Sequence, residues 1–350
     1  MRPDLPDVPG PGPAPWGATA AGPRRAAADA APAGRRGTAG REGTAGRGGT
    51  IERGGTTGRE GTAGRGGTVE ALVVRAHDAP GPTLVLRVDR LPPGALALGA
   101  ELRAALAALP RPRLHKIALF DPRTLRYRFV QALPGGSFDF RAGCGHSLLA
   151  CVVADGRPGP VTVRAVTTGD TVLCEPERAP HHDAYTLSFL RAPDAPGTLP
   201  TGRPVDVLLG VPVSLVRYGN PYVFVDARHL DPRATERQLL ALRAEAARRL
   251  GHPPASALPK IAAVADGPGG LSVRALTVGG WHPGLALTGA AALAAAGAID
   301  GTVVPVPRGP VRTPAGPVTV SAAPDRVRVH HKRAEVLERL ELPWRVHATA

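Results

Sequence analysis

Two stretches of this chain are apolar on every side of a helical wheel, 148–153 and 285–298, and each follows a glycine-rich loop. A helix without a polar face is buried all round, so each stretch predicts a central helix wrapped by other elements. The runs about them are short, β-branched or apolar, and punctuated by Pro and Gly, which predicts strands joined by turns. Before the first central helix these strands fall at 71–75, 83–88, 114–120 and 127–133, with a helix at 98–109 that stops at Pro110. A hairpin around Gly169-Asp170, pairing 161–166 with 171–175, and a strand at 184–190 follow it. The second half has strands at 211–216 and 222–225 about a tight turn at Gly219-Asn220-Pro221. An amphipathic helix at 235–250, ending at Gly251, and a strand at 258–264 lead to the second central helix. Strands at 302–306, 318–321 and 327–330 and a short helix at 333–340 complete the pattern.

The halves share more than their order of elements. Leu114-His115-Lys116-Ile117-Ala118 and Leu258-Pro259-Lys260-Ile261-Ala262 are both L-x-K-I-A, and both lie between a helix and a glycine-rich loop. The step from loop to central helix falls at Cys144 in one half and near His282 in the other. A duplicated half accounts for this order. The expected organisation is a first domain at 69–203 and a second at 204–350, divided in the turn-rich 195–204, with the last strand or helix able to return to the first. Residues 1–68 are Pro/Ala-rich and then an Arg/Gly/Thr repeat, with too little apolar bulk to offset chain entropy, and are expected to be disordered.

Composition narrows the function. The chain of 350 residues carries a net charge of +14, with arginine far outnumbering lysine. The tail holds ten Arg against six acidic residues, so +4 of the charge lies there and +10 on the folded part, where the arginines are scattered. Three Trp, four Tyr and six Phe are few for a base-stacking surface, so a nucleic-acid partner is not expected; a basic pocket for a small polyanion and a general compositional bias towards Arg, Ala, Gly and Pro both account for the charge. No window is long and apolar enough for a membrane span, and no signal peptide is evident. Cys144, Cys151 and Cys174 are odd in number and match neither a disulfide framework nor a zinc pattern, which fits a reducing cytoplasm. His181-His182 and His330-His331 lack cysteine or carboxylate company, so they read as surface and no metal is expected.

The stretch that carries chemistry is Gly143-Cys144-Gly145-His146-Ser147. Glycines allow close backbone approach, and a helix start offers unpaired N–H groups and the positive end of a dipole. A thiolate or a substrate carboxylate is stabilised there. A buried structural cysteine is the competing reading of the same residues.

Several segments together resemble the PrpF family of 2-methylaconitate cis-trans isomerases and related tautomerases, within the diaminopimelate-epimerase and proline-racemase superfamily. They are Lys116-Ile117-Ala118-Leu119, Cys144-Gly145, Thr198-Leu199-Pro200-Thr201-Gly202, 219–227, Pro259-Lys260-Ile261-Ala262 and His282-Pro283 through Ala290. The resemblance implies an α+β, diaminopimelate-epimerase-like fold: two pseudo-symmetric domains, each a β-barrel-like sheet around a central helix, with the site between them. It implies a cofactor-independent isomerase acting on an unsaturated polycarboxylate or related enolisable acid, with Lys116 and Cys144 as the proton-transfer pair. Gly145, His146, Ser147, Asn220, Arg274, His282, Thr288 and Arg75 are the candidate substrate-binding residues. The family's Arg-Gly-Gly-Thr-Ser-Lys-Gly loop is here Arg75-Ala76-His77-Asp78-Ala79-Pro80-Gly81, so only its first and last residues match. Cys144-Gly145-His146 is closer to the racemase branch, yet the loop at 280–283 has no second cysteine. A racemase or epimerase of the superfamily and a non-catalytic small-molecule-binding descendant are the alternatives. A homodimer is left open.

Overall fold

The computed structural model describes residues 66–90, 98–109, 114–133, 136–178, 183–253, 256–277 and 280–345. The first half runs β1 (Gly66–Ala76), β2 (Thr83–Arg87), α1 (Leu98–Ala107), β3 (Lys116–Asp121), β4 (Arg126–Ala132), β5 (Phe138–Asp139), α2 (Gly145–Asp155), β6 (Val161–Ala165), β7 (Thr171–Pro176) and β8 (Tyr185–Phe189). The second runs β9 (Asp206–Leu208), β10 (Val211–Tyr218), β11 (Asn220–Asp226), α3 (Thr235–Arg249), β12 (Lys260–Ala265), β13 (Ser272–Thr277), β14 (Gly280–Trp281), α4 (Leu287–Gly297), β15 (Val311–Thr313) and β16 (Gly316–Val318). The chain ends with β17 (Val320–Ala323), β18 (Arg326–Lys332) and β19 (Ala334–Arg345).

Pairing matches between the halves, partner for partner. β1–β2 and β10–β11 are antiparallel, and β2–β3 and β11–β12 are parallel. β3–β4 and β12–β13 are antiparallel, as are β4–β5 and β13–β14. β4–β6 and β13–β15 are parallel, and each sheet then turns back through β6–β7 or β15–β16. The parallel registers align Ile117 with Leu84 and Ile261 with Val223, so Lys116 and Lys260 occupy equivalent places. The first sheet has the order β17-β18-β8-β7-β6-β4-β3-β2-β1-β19, and the second β16-β15-β13-β12-β11-β10-β9. The chain therefore crosses back to the first sheet at Thr319.

Strand alternation decides which face each helix covers. Leu72, Val74, Val85, Ala118, Phe120 and Phe129 face α2 and share one core with Leu148, Leu149 and Val152. The alternate residues Ala71, Val73, Leu84, Ile117 and Val130 pack against Leu102 and Ala105 of α1. Each large apolar side chain so buried contributes about 1.5–3 kcal/mol. α2 touches β1, β2, β3, β4, β6 and β19, so the first sheet wraps it. Every residue of α4 is buried, and its small side chains suit close neighbours: a Cβ at Gly289 would lie 2.5 Å from the Tyr222 hydroxyl. The core of α2 and that of α4 are continuous.

Four sequence expectations change. Gly66–Thr68, read as tail, are the first residues of β1 and pair with Arg345, Trp344 and Pro343. The rest of that tail, 1–65, lies outside the described residues, as do His181 and His182. Residues 302–306 are irregular instead of a strand: Thr302 Oγ1 bonds the end of α4 at Ala296 O (2.8 Å), Val303 N–H bonds Ser214 Oγ (2.9 Å), and Pro305 has no donor for a ladder. The run 318–321 divides at Thr319 between two sheets. Residues 333–340, expected as a helix, belong to β19, paired with β1 along its length. The bulge opposite Val73/Val74 adds a residue at Leu337.

Candidate active site

The two central helices meet at their N-termini. Cys144 is the N-cap of α2, with extended backbone (φ −141°, ψ 106°), and its side chain makes no capping bond. The first intrahelical bond runs from Leu148 N–H to Cys144 O (3.0 Å), so the N–H groups of Gly145, His146 and Ser147 point out of the helix start. In α4 the equivalent bond is Ala290 N–H to Ala286 O (2.9 Å). The N-cap of α4 is Ala286, so the position that mirrors Cys144 is an alanine four residues beyond His282. The first residues of the helices touch: a Cβ at Gly145 would lie 2.9 Å from Leu287 Cβ and collide with Leu287 Cδ2. Glycine at 145 is what lets the starts approach.

The cysteine loop is fixed from both halves. Asn220, fully buried in β11, accepts from Gly143 N–H and donates to Gly143 O, each at 2.7 Å, and its Nδ2 also donates to Thr288 Oγ1 (3.2 Å). The preceding Gly219 forms the turn with φ +71°, a conformation that glycine adopts without strain. Tyr127 OH donates to Cys144 O (3.0 Å), and Ser147 Oγ bonds Thr83 Oγ1 (2.9 Å) in the interior. Cys144 itself is partly exposed, whereas Cys151 and Cys174 are buried, with thiols pushed up by desolvation; all three are free. Beside Cys144 is a small pocket, partly open to solvent. Gly143, Thr168, Asp170 and Thr288 line it with apolar residues such as Leu148 and Phe189. Burial pushes the Asp170 carboxyl up.

Around this point stands a set of cations. Lys116 is on the face of β3 that holds Ala118 and Phe120, toward α2, and is 9% exposed. Its Nζ donates to Gly81 O (3.1 Å). Desolvation lowers its pKa, and the neighbouring Cys144 partly opposes that. Lys260, its counterpart on β12, keeps some exposed surface; enclosure of its ammonium lowers its pKa, Cys144 raises it and Lys116 lowers it further. His146 is held neutral, well below the usual range, by burial first and then by the nearby charges of Lys116, Lys332 and Lys260. His282 is pushed down to about 4 by burial and by Lys260, and its Nδ1 accepts from Gly284 N–H (3.1 Å). Two helix starts, inward-facing lysines and neutral imidazoles make a place where anionic charge is stabilised.

The structure thus brings together Cys144, Lys116, Gly145, His146, Ser147, Asn220, His282 and Thr288. It does not bring Arg75 and Arg274 to this cluster. Arg75 is exposed and paired with Glu335 (2.6 Å), on the strand face that carries Val73 toward α1. Arg274 stacks 4.1 Å over the Trp281 ring, and Trp281 Nε1 in turn bonds Glu236 of α3. Lys260 and Lys332 are the members that the sequence reading left out. A signal for both was available: the chain has three lysines against forty arginines, and Lys116, Lys260 and Lys332 are all of them.

Two sheet-rich halves, each with a central helix, define the α+β diaminopimelate-epimerase-like fold. The comparison with solved structures agrees, with 44 matching chains. One is a methylitaconate-delta-isomerase, 20% identical with a TM-score of 0.57, covering 81% of this chain and 98% of its own. Another is a hydroxyproline epimerase from Agrobacterium vitis with bound trans-4-hydroxy-L-proline, 18% identical with a TM-score of 0.50, covering 79% of this chain and 92% of its own. No family model and no curated protein matches the chain. At these identities the likeness is one of fold.

No described helix is long and apolar enough to cross a membrane, and no group of three His, Cys, Asp or Glu among the described residues could hold a metal.

Proposed function

We propose that this protein is a cofactor-independent isomerase that moves a proton in an unsaturated polycarboxylate, with Cys144 and Lys116 as the proton-transfer pair. The observation that carries the reading is the thiol of Cys144 at a helix start within the field of two lysines whose ammonium forms are destabilised by burial. A lowered lysine pKa brings a neutral amine, and hence a base, closer to neutral pH. Lys116 takes a proton from the carbon next to the carboxylate-conjugated alkene. The electron pair shifts through the alkene to the carboxylate, giving a dienolate. Cys144 returns a proton at the other end of the allylic system, and proton passage from Lys116 to Cys144 resets the pair. The step balances without an oxidant or reductant. Lys260 and the N–H groups at 145–147 and 287–289 stabilise the charge that develops. The two-domain division near 203/204 belongs to this reading, with the site between the halves. The three free thiols fit a reducing cytoplasm.

Ala286 at the mirror of Cys144 supports isomerisation over a two-thiol racemisation. The test offers the protein two kinds of acid and follows both by NMR. An unsaturated dicarboxylate such as methylitaconate is expected to show double-bond migration, and a chiral amino or hydroxy acid to keep its configuration. Inversion of the chiral acid without migration in the dicarboxylate would overturn the assignment.

A further inference from the structure

We propose that Lys332, turned inward by a bulge in β18, seats a second substrate carboxylate, and that the Asp78 carboxylate is its internal stand-in. The proposal rests on the carboxylate-isomerase reading above. It starts from register. β18 pairs Val329 with Leu187 and then Lys332 with Tyr185, three residues against two, so one extra residue lies between. Val327 and Val329 face the core. Unbroken alternation would put His331 inward and Lys332 outward. The bulge reverses this: His331 is exposed and Lys332 is 3% exposed.

The bulge is held under strain. His331 has φ +57°, a conformation that costs a residue with a side chain roughly 1–2 kcal/mol. Glu177 holds it, accepting from His331 N–H (2.8 Å) and bonding His331 Nδ1 (2.7 Å). Strain held in place by dedicated partners, with the result that one lysine is re-aimed, points to a use for that lysine.

Inside, Lys332 Nζ donates to Asp78 Oδ2 (2.6 Å). The two partners differ: the lysine side chain is 4% exposed and the aspartate 41%. The ammonium is fixed, and the carboxylate sits at the edge on a short loop. That loop is gripped twice more, by Arg333 O from His77 N–H (3.1 Å) and by Gly81 O from Lys116 Nζ (3.1 Å). Two inward lysines thus spend bonds on one loop, and both bonds are of kinds that a substrate anion could replace. Next to them is His146, two residues from Cys144 and 3% exposed. Its Nε2 has no hydrogen-bond partner among the described residues, and it lies in the fields of both Lys116 and Lys332. A carboxylate reaching Lys332 past Asp78 supplies an acceptor at the place where a buried nitrogen lacks one. The substrate then carries a carboxylate remote from the reacting carbon, which makes it at least a dicarboxylate.

Calorimetric titration of the full chain with itaconate, and with methacrylate, which lacks the second carboxylate, tests this. Itaconate is expected to bind at least about tenfold tighter, and Lys332→Met to remove that advantage. Asp78→Asn, which leaves a weaker internal competitor, is expected to tighten itaconate about threefold and leave methacrylate unchanged. A structural ion pair predicts the opposite for Asp78→Asn: lower thermal stability and no gain in binding. Retained itaconate preference in Lys332→Met, or no gain in Asp78→Asn, overturns the proposal while the isomerase reading stands. If the parent protein binds neither acid, both fall. Should Lys332→Met not fold, the Asp78→Asn result decides alone.

Discussion

Asn220 grips Gly143 by both of its backbone polar groups, N–H and C=O each at 2.7 Å, so a side chain of the second half fixes the residue before Cys144. No solvent reaches this amide, which is fully buried. Asn220→Ala leaves two buried backbone groups unsatisfied, and each costs about 1–3 kcal/mol. Chemical denaturation should show a loss of about 2–6 kcal/mol, with activity falling further than stability because the thiol loses its aim. Asn220→Asp keeps the shape but puts a carboxylate against Gly143 O, and should be no better.

The touching helix starts make a second prediction. A methyl at Gly145 has no room beside Leu287. Gly145→Ala should destabilise by about 1–3 kcal/mol through overpacking. Adding Leu287→Ala should recover part of that, and a double-mutant cycle in thermal denaturation reads the coupling. Strictly additive losses would mean that the two helix starts do not constrain each other.

A third prediction separates charge from proton transfer. Arginine carries the charge of lysine but does not release its proton in proteins. Lys116→Arg should therefore lower kcat by about 10²-fold or more. Lys260→Met removes an ammonium destabilised by its surroundings, so the melting temperature should hold or rise while kcat falls. A Lys116→Arg enzyme with parental kcat would remove Lys116 from the proton path.

Acid sensitivity follows from the histidines. His282 is depressed to about 4 from the ordinary 6.5, and burial also holds His146 well below its usual range. Between 6.5 and 4 the unfolded chain binds protons that the folded protein refuses. Stability is complete above about 6.5 and falls as the pH drops through that window. His282 alone accounts for about 3 kcal/mol of the loss. Urea unfolding at pH 7 and pH 5 should show the difference, and His282→Gln should shrink it.

Much of this was legible in the sequence. The two all-apolar helices, the repeated L-x-K-I-A and the glycine loops implied the duplicated α+β fold, because periodicity and punctuation report burial and turns directly. The motifs also singled out Cys144, Lys116, Asn220 and Thr288, which the fold brings into one cluster. The scarcity of lysine marks Lys332, but its inward turn was hidden for a physical reason: a bulge changes which face a residue takes, and nothing in strand alternation announces a bulge. Arg75, matched to the first residue of a substrate-loop motif, and Arg274, a cation ahead of the His282 loop, were candidate substrate contacts, yet pairing with Glu335 and stacking on Trp281 engage them elsewhere. Lys260 was visible in the repeat, but its approach to Cys144 depends on how the two halves meet.

The central claim is that Cys144 and Lys116 exchange a carbon-bound proton with each other and with solvent. The most direct measurement incubates the protein with methylitaconate in heavy water and follows deuterium at the allylic carbons by NMR. The account predicts uptake at both carbons with the parent protein, a loss of about 10²-fold or more at both in Lys116→Met, and the same loss in Cys144→Ala at the carbon that Cys144 protonates. Undiminished uptake at both carbons in either variant would contradict it.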